Sequence, residues 1–187
     1  MRWRLPVVAF TATLAVARLA AQQPPAPTVT AQGVAPRTVE AAEAEGATWP
    51  RNPPQAERPS WADAFGPRER RCVRAADHVT IRSGDFVAGP FQDRVVMMVN
   101  AGKLHWKIWW VPNQMPPLNG AAMTMRATKL DQPERTVTEH FGNIANEHSA
   151  EPFFPTFILF PEKGLWLVVV TAGNNWGCFI VEETLAA

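Results

Sequence analysis

Histidine and methionine are the residues of this sequence whose chemistry could involve a metal ion. Imidazole nitrogens and thioether sulfurs together suit copper, especially Cu(I). His140 and His148 flank a short loop, and Met123 and Met125 alternate on a predicted strand, which places both methionines on one face. These four residues form a candidate copper site. The competing interpretation is that the methionine pair fills the core, as inward-facing methionines usually do.

Tryptophan is the second residue type with a possible binding role, since the chain has 8 tryptophans and no tyrosine. In one alternating segment, Trp109 points away from Trp106 and Trp110. Exposed indole rings on a β-sandwich stack on sugar rings or anchor protein partners. Trp109 and Trp176 are therefore candidate binding residues. The core is expected to contain Trp106, Trp110 and Trp166.

Acid and base side chains stand next to each other at Glu139-His140 and at Glu147-His148-Ser149. Adjacent residues of a strand point to opposite faces, so this adjacency does not build a catalytic pair. The sequence contains no GxSxG or HExxH motif and no glycine-rich phosphate loop. It therefore indicates no catalytic residue and no cofactor, and a hydrolase is an alternative without a supporting motif.

The two cysteines, Cys72 and Cys178, are far apart in the chain. An even pair in an exported protein favours a disulfide, which would join the start of the folded domain to its last strand. The alternative is two free buried thiols in a reducing compartment. Their spacing is unlike that of any CxxC metal or redox motif.

The N-terminal segment, residues 1–21, has the three parts of a secretory signal peptide. Arg2 and Arg4 precede an apolar run, and the segment ends on the small residues Ala20 and Ala21. The run is shorter than the ~20 residues that a membrane-spanning helix needs. The segment predicts a periplasmic or extracellular protein, which would contact a membrane only if the signal stayed uncleaved. The alternative is a buried N-terminal helix.

Residues 22–60 are rich in proline, alanine and glutamate and poor in large aliphatic side chains. Such a segment buries too little apolar surface to offset its chain entropy, so we expect a disordered linker. A helix over residues 38–47 would be transient, because it lacks an apolar face. The net charge of the whole chain is only +1, which gives no general attraction for nucleic acid.

Residues 61–187 form the predicted folded domain, in which apolar residues recur with the period of two that is typical of strands. The clearest strands cover residues 103–111, 121–130 and 164–172, and the turn Gly173-Asn174-Asn175 leads to a partner strand over 176–183. Helix is expected only as a turn near 61–65 or 68–76. Weaker strands are predicted at 79–82, 86–88, 94–99, 136–138 and 157–160. About seven short strands favour an all-β fold, an immunoglobulin-like β-sandwich.

The last third of the chain carries a family resemblance. The segments Phe153-Phe154-Pro155, Ile158-Leu159-Phe160-Pro161, Gly164-Leu165-Trp166, Ala172-Gly173 and Gly177-Cys178-Phe179 resemble the final strands of small exported bacterial immunoglobulin-like domains of uncharacterised function. The resemblance implies the fold and supplies no catalytic residues. The sequence therefore predicts a non-enzymatic binding or accessory module, acting through its loops or an exposed tryptophan face. Its expected partner is a protein or glycan of the cell envelope.

Overall fold

The computed structural model describes residues 34–50, 64–76, 79–91, 94–96, 104–116, 122–142, 144, 145 and 152–184. The predicted signal peptide, residues 1–21, lies outside these ranges. The described residues contain one α-helix and ten strands: α1 (Val39–Thr48), β1 (Val73–Arg74), β2 (Ile81–Ser83), β3 (Phe86–Gly89), β4 (Arg94–Val96), β5 (Leu104–Pro112), β6 (Met123–Lys129), β7 (Gln132–Phe141), β8 (Phe154–Ile158), β9 (Gly164–Ala172) and β10 (Asn175–Glu183). The helix of the described part of the chain is too short and too polar to cross a membrane.

The strands form two sheets, which we call the first and the second sheet. The first has the order β1-β10-β9-β6-β7, with β1 parallel to β10 and every other pair antiparallel. In the second, β2 pairs with β3, and β3 and β4 follow one another along one edge of β5. Trp106 of β5 pairs with both Arg94 of β4 and Ile158 of β8, so β8 lies on the opposite edge of β5.

The core lies between the inner faces of the two sheets, so the predicted all-β sandwich is confirmed. Trp106, Trp110 and Trp166 are fully buried there, as expected from the sequence. Trp110 packs edge-on against Phe179, with ring centroids 5.3 Å apart. Its indole nitrogen donates to Thr156 Oγ1 at 2.9 Å, so that the polar edge of the ring is satisfied.

The strongest sequence patterns match the observed strands. The predicted strand over 164–172 coincides with β9, and the predicted hairpin joins β9 to β10. β7 extends well beyond the predicted 136–138, because it pairs with β6 along most of its length. A helical turn near 68–76 is wrong, since this segment contains β1, where Val73 pairs with Phe179. A short helical turn occupies residues 64–65 instead.

The structure differs from the expected disordered linker at residues 34–50. Here α1 begins at the N-cap Thr38, whose hydroxyl accepts a hydrogen bond from the Ala41 backbone N–H at 3.1 Å. One turn apart on the helix, Ala42 and Gly46 are both buried against the first sheet. The fully buried positions of α1 are therefore small residues, which form no apolar stripe that the sequence would reveal.

Candidate functional site

The outer face of the first sheet carries a second apolar cluster beneath α1, which we call the covered face. Its buried members are Ala42, Leu167, Val169, Trp176 and Cys178. The alternation along β9 explains how both of its faces are apolar: Val168 and Val170 point into the main core, whereas Leu167 and Val169 point towards the helix. The first sheet is therefore enclosed between two apolar layers.

A charged contact fixes the middle of α1 to the covered face. The Arg126 guanidinium on β6 donates to both carboxylate oxygens of Glu45, one of them at 3.1 Å, and also to the Val34 carbonyl at 3.3 Å. The Arg126 side chain is only 3% exposed, against 24% for Glu45. Because a buried guanidinium is costly without a partner, this bidentate pair makes Arg126 dependent on the docked helix.

A second arginine holds the C-terminal end of α1. Arg70 donates to the carbonyls of Gly46 at 2.8 Å and Trp49 at 2.6 Å, and to the Asp85 carboxylate at 3.0 Å. Asp85 is buried and also pairs with Arg68 at 2.6 Å. A cation at the last carbonyls of a helix satisfies acceptors that the helix leaves open and interacts favourably with its dipole.

The predicted disulfide between Cys72 and Cys178 is confirmed, and it lies within the covered face. Cys178 is fully buried and Cys72 is half-buried. The Cys72 backbone N–H donates to the Glu43 carboxylate at 3.0 Å, so the bond is also connected to α1. A buried disulfide fits an oxidising compartment, and the alternative of two free thiols is wrong.

Trp176 is not the exposed binding residue that the sequence suggested. Its side chain is fully buried beneath α1. A Cβ atom at Gly46 would lie 2.7 Å from the indole ring, so the helix backbone rests directly on it. The cover comes from a segment far away in the sequence, and the residues around Trp176 carry no sign of it.

Trp109 lies on the outer face of the second sheet and remains half-buried. It pairs across strands with Pro155, and the exposed Lys107 pairs with Phe157, whose side chain is 40% exposed. We call Lys107, Trp109, Pro155 and Phe157 the open patch. It presents an indole, a proline ring and a phenyl ring on two neighbouring strands, with one cation among them.

The three proposed copper ligands that the structure describes do not converge. Met123 and Met125 are fully buried in the main core, which agrees with their interpretation as core residues. His140 is exposed on β7, and its Nδ1 lies 3.0 Å from Thr124 Oγ1 on the opposite face of the first sheet. His148 lies outside the described residues. Within the part of the chain that the structure describes, no group of three or more His, Cys, Asp or Glu side chains is arranged to hold a metal ion.

Glu139 and His140 occupy opposite faces of β7, as expected for neighbours on a strand. Glu139 pairs in register with Met125, and burial raises the pKa of its carboxyl group. The hydrogen-bond contact of His140 is with Thr124 instead. These two residues therefore do not form a catalytic pair, and the second acid–base segment, residues 147–149, lies outside the described residues.

Comparison with protein-family models, with curated proteins and with solved structures found no match for this chain.

Proposed function

We propose that this protein is an exported, non-enzymatic binding module whose contact surface is the open patch. The observation that carries the proposal is the half-buried Trp109 beside the exposed Phe157 on one outer face of the sandwich. The other outer face is closed by a helix of the same chain. Aromatic rings left at the surface of a sheet are suited to holding a partner rather than to packing the fold.

The strand arrangement supports an immunoglobulin-like type for this module. A four-stranded antiparallel unit, β10-β9-β6-β7, packs against a sheet in which β5 lies between β3 and β8. The order β10-β9-β6-β7 resembles the GFC sheet of immunoglobulin sandwiches with one strand added beside C. The C-terminal sequence resemblance points to the same type.

Export to the periplasm or the extracellular space is supported by two independent features. The signal-like segment at residues 1–21 is the first. The second is the disulfide between Cys72 and Cys178, since disulfides persist in oxidising compartments.

The partner that fits the open patch best is a glycan of the cell envelope. Among the residues that the structure describes, the patch contains four, whereas a standard protein interface uses about 20–30 residues on each side. A sugar ring presents a flat apolar face that stacks on an indole, and its hydroxyl or carboxylate groups accept hydrogen bonds from an ammonium group such as that of Lys107. Trp109 supplies the indole and Lys107 the ammonium group, and the two residues lie two positions apart on one face of β5.

The test is co-sedimentation of the full chain with isolated cell-wall polysaccharide, together with binding to an array of soluble glycans. Trp109→Ala should weaken binding by about tenfold or more, as expected for a central aromatic contact. Thr136→Ala, at an exposed site on β7, is the matched control and should bind like the wild type. Unchanged binding by Trp109→Ala would refute the open patch as the site. If the chain instead captured an envelope protein through Trp109 and bound no glycan, the glycan would be refuted as the partner, whereas the open patch would stand as the binding surface.

A further inference from the structure

We propose that docking of α1 controls chemical access to the disulfide between Cys72 and Cys178, so that the helix and the disulfide form one redox-responsive unit. The proposal concerns the covered face alone and does not depend on the open patch or its ligand.

The contacts of α1 place it over the disulfide. The Glu43 carboxylate accepts from the Cys72 backbone N–H at 3.0 Å, and the Val39 carbonyl oxygen lies 4.0 Å from Cys72 Sγ. Ala42, in the turn between them, is fully buried in the same cluster as Cys178. Three successive positions along one side of the helix therefore lie against the two cysteines.

The chemistry of disulfide reduction explains why this cover matters. One thiolate of a dithiol attacks a sulfur atom in line with the S–S bond, which breaks as a mixed disulfide forms. The second thiol then displaces the protein sulfur. Cys72 and Cys178 end as thiols, and the dithiol is oxidised to its own disulfide, so two electrons and two protons are transferred. A helix seated on the bond obstructs this approach until it moves away.

The disulfide also supports the docked position of α1, which is an equilibrium effect separate from the rate of reduction. If reduction weakens docking, then undocking favours reduction at equilibrium by the same factor. The structure shows how reduction would weaken docking. Only two residues of β1 pair with β10, and the disulfide next to them holds the two strands together covalently. Without that support, Cys72 holds Glu43 less firmly. Undocking would uncover Leu167, Val169 and Trp176, an apolar surface of the kind that attracts partners.

The first experiment measures the rate at which dithiothreitol reduces the disulfide in the folded full chain, with the released thiols quantified by alkylation. Gly46→Ala is the perturbing variant, because its Cβ would lie 2.7 Å from the Trp176 indole. Gly142→Ala is the control, because a Cβ there would meet nothing within 4 Å. We expect reduction of Gly46→Ala to be about tenfold faster, which corresponds to about 1.4 kcal/mol of lost docking free energy. Gly142→Ala should match the wild type.

Amide hydrogen exchange separates local undocking from unfolding of the whole domain. In Gly46→Ala, exchange should accelerate in α1 and stay unchanged at Val168 and Val170 of β9. In the double variant Cys72→Ala/Cys178→Ala, exchange in α1 should also accelerate. The proposal is refuted if Gly46→Ala is reduced at the wild-type rate, or if β9 exchanges as readily as α1. Unchanged α1 exchange in the double variant would refute the coupling.

Discussion

The outer faces of the two sheets each carry a tryptophan that the sequence presents as equivalent, Trp176 on the first sheet and Trp109 on the second. In the structure, Trp176 is fully buried beneath α1, whereas Trp109 is only half-buried beside the exposed Phe157. The difference arises from the segment over residues 34–50, which covers one sheet. The role of a surface aromatic residue therefore depends on distant parts of the chain as much as on its own strand.

The largest expected effect comes from removing these two tryptophans separately. Trp176→Ala should lower the free energy of unfolding by about 3–5 kcal/mol, the usual cost of truncating a buried aromatic side chain. Trp109→Ala should cost less, because its side chain is only half-buried. Urea denaturation of both variants measures the difference. Equal losses would mean that the second sheet is covered as fully as the first.

The next effect concerns the ion pair between Glu45 and Arg126. Glu45→Gln leaves a nearly buried guanidinium without its countercharge and should cost about 2–3 kcal/mol, somewhat below the loss for a wholly buried pair. Arg126→Met leaves only a half-buried carboxylate and should cost less. A double-mutant cycle in urea gives the coupling energy. A coupling near zero would show that α1 is held by its apolar contacts alone.

These contacts also show where prediction from the sequence succeeds. Alternation located β5 and β6, because one face of each strand must be buried in the main core. A continuous apolar run located β9, and the turn Gly173-Asn174-Asn175 after it located β10. The pair of cysteines correctly predicted the disulfide. Each strand is indicated by the residues of the strand itself or by the turn beside it. The disulfide is indicated by a pair of cysteines that have only each other as partners.

The sequence fails where a contact depends on two distant segments. The buried positions of α1, Ala42 and Gly46, are too small to form an apolar stripe, so the helix looked transient. β1 has two residues, Val73 and Arg74, and takes its conformation from pairing with β10 rather than from its own composition. The burial of Trp176 follows from both segments and was unpredictable for the same reason.

A smaller effect is expected at the C-terminal end of α1. Arg70→Lys keeps the charge but loses the planar fork, in which Nη1 donates to the Gly46 and Trp49 carbonyls while Nη2 donates to Asp85, and should cost about 1–2 kcal/mol. The exposed neighbour Arg71 provides the matched control, since Arg71→Lys should leave the free energy of unfolding unchanged. Chemical denaturation compares the two. If both variants match the wild type, the helix does not require this anchor.

The smallest effect is expected at the rim of the first sheet, at Glu139. Burial raises the pKa of this carboxyl group in the folded state above its ordinary value. The folded protein therefore binds more protons, and its stability falls as the pH rises from the ordinary pKa to the raised one. Glu139→Gln should slightly increase stability at neutral pH and have no effect in acid, below the ordinary pKa. Thermal melts over a range of pH, with the exposed Glu134→Gln as control, measure this. A pH-independent difference would exclude ionisation as its cause.

The position of α1 also bears on the order in which the molecule is completed. It is the first described helix or strand of the chain, yet its seat is built largely from β9 and β10, the last two described strands. Glu45 must meet Arg126 across 81 residues, and Cys72 must meet Cys178 across 106. Since contacts between distant residues form slowly, we expect α1 to emerge early during synthesis and to settle late. Docking of α1 on the first sheet would then have to wait until β10 has been synthesised and has paired with β9.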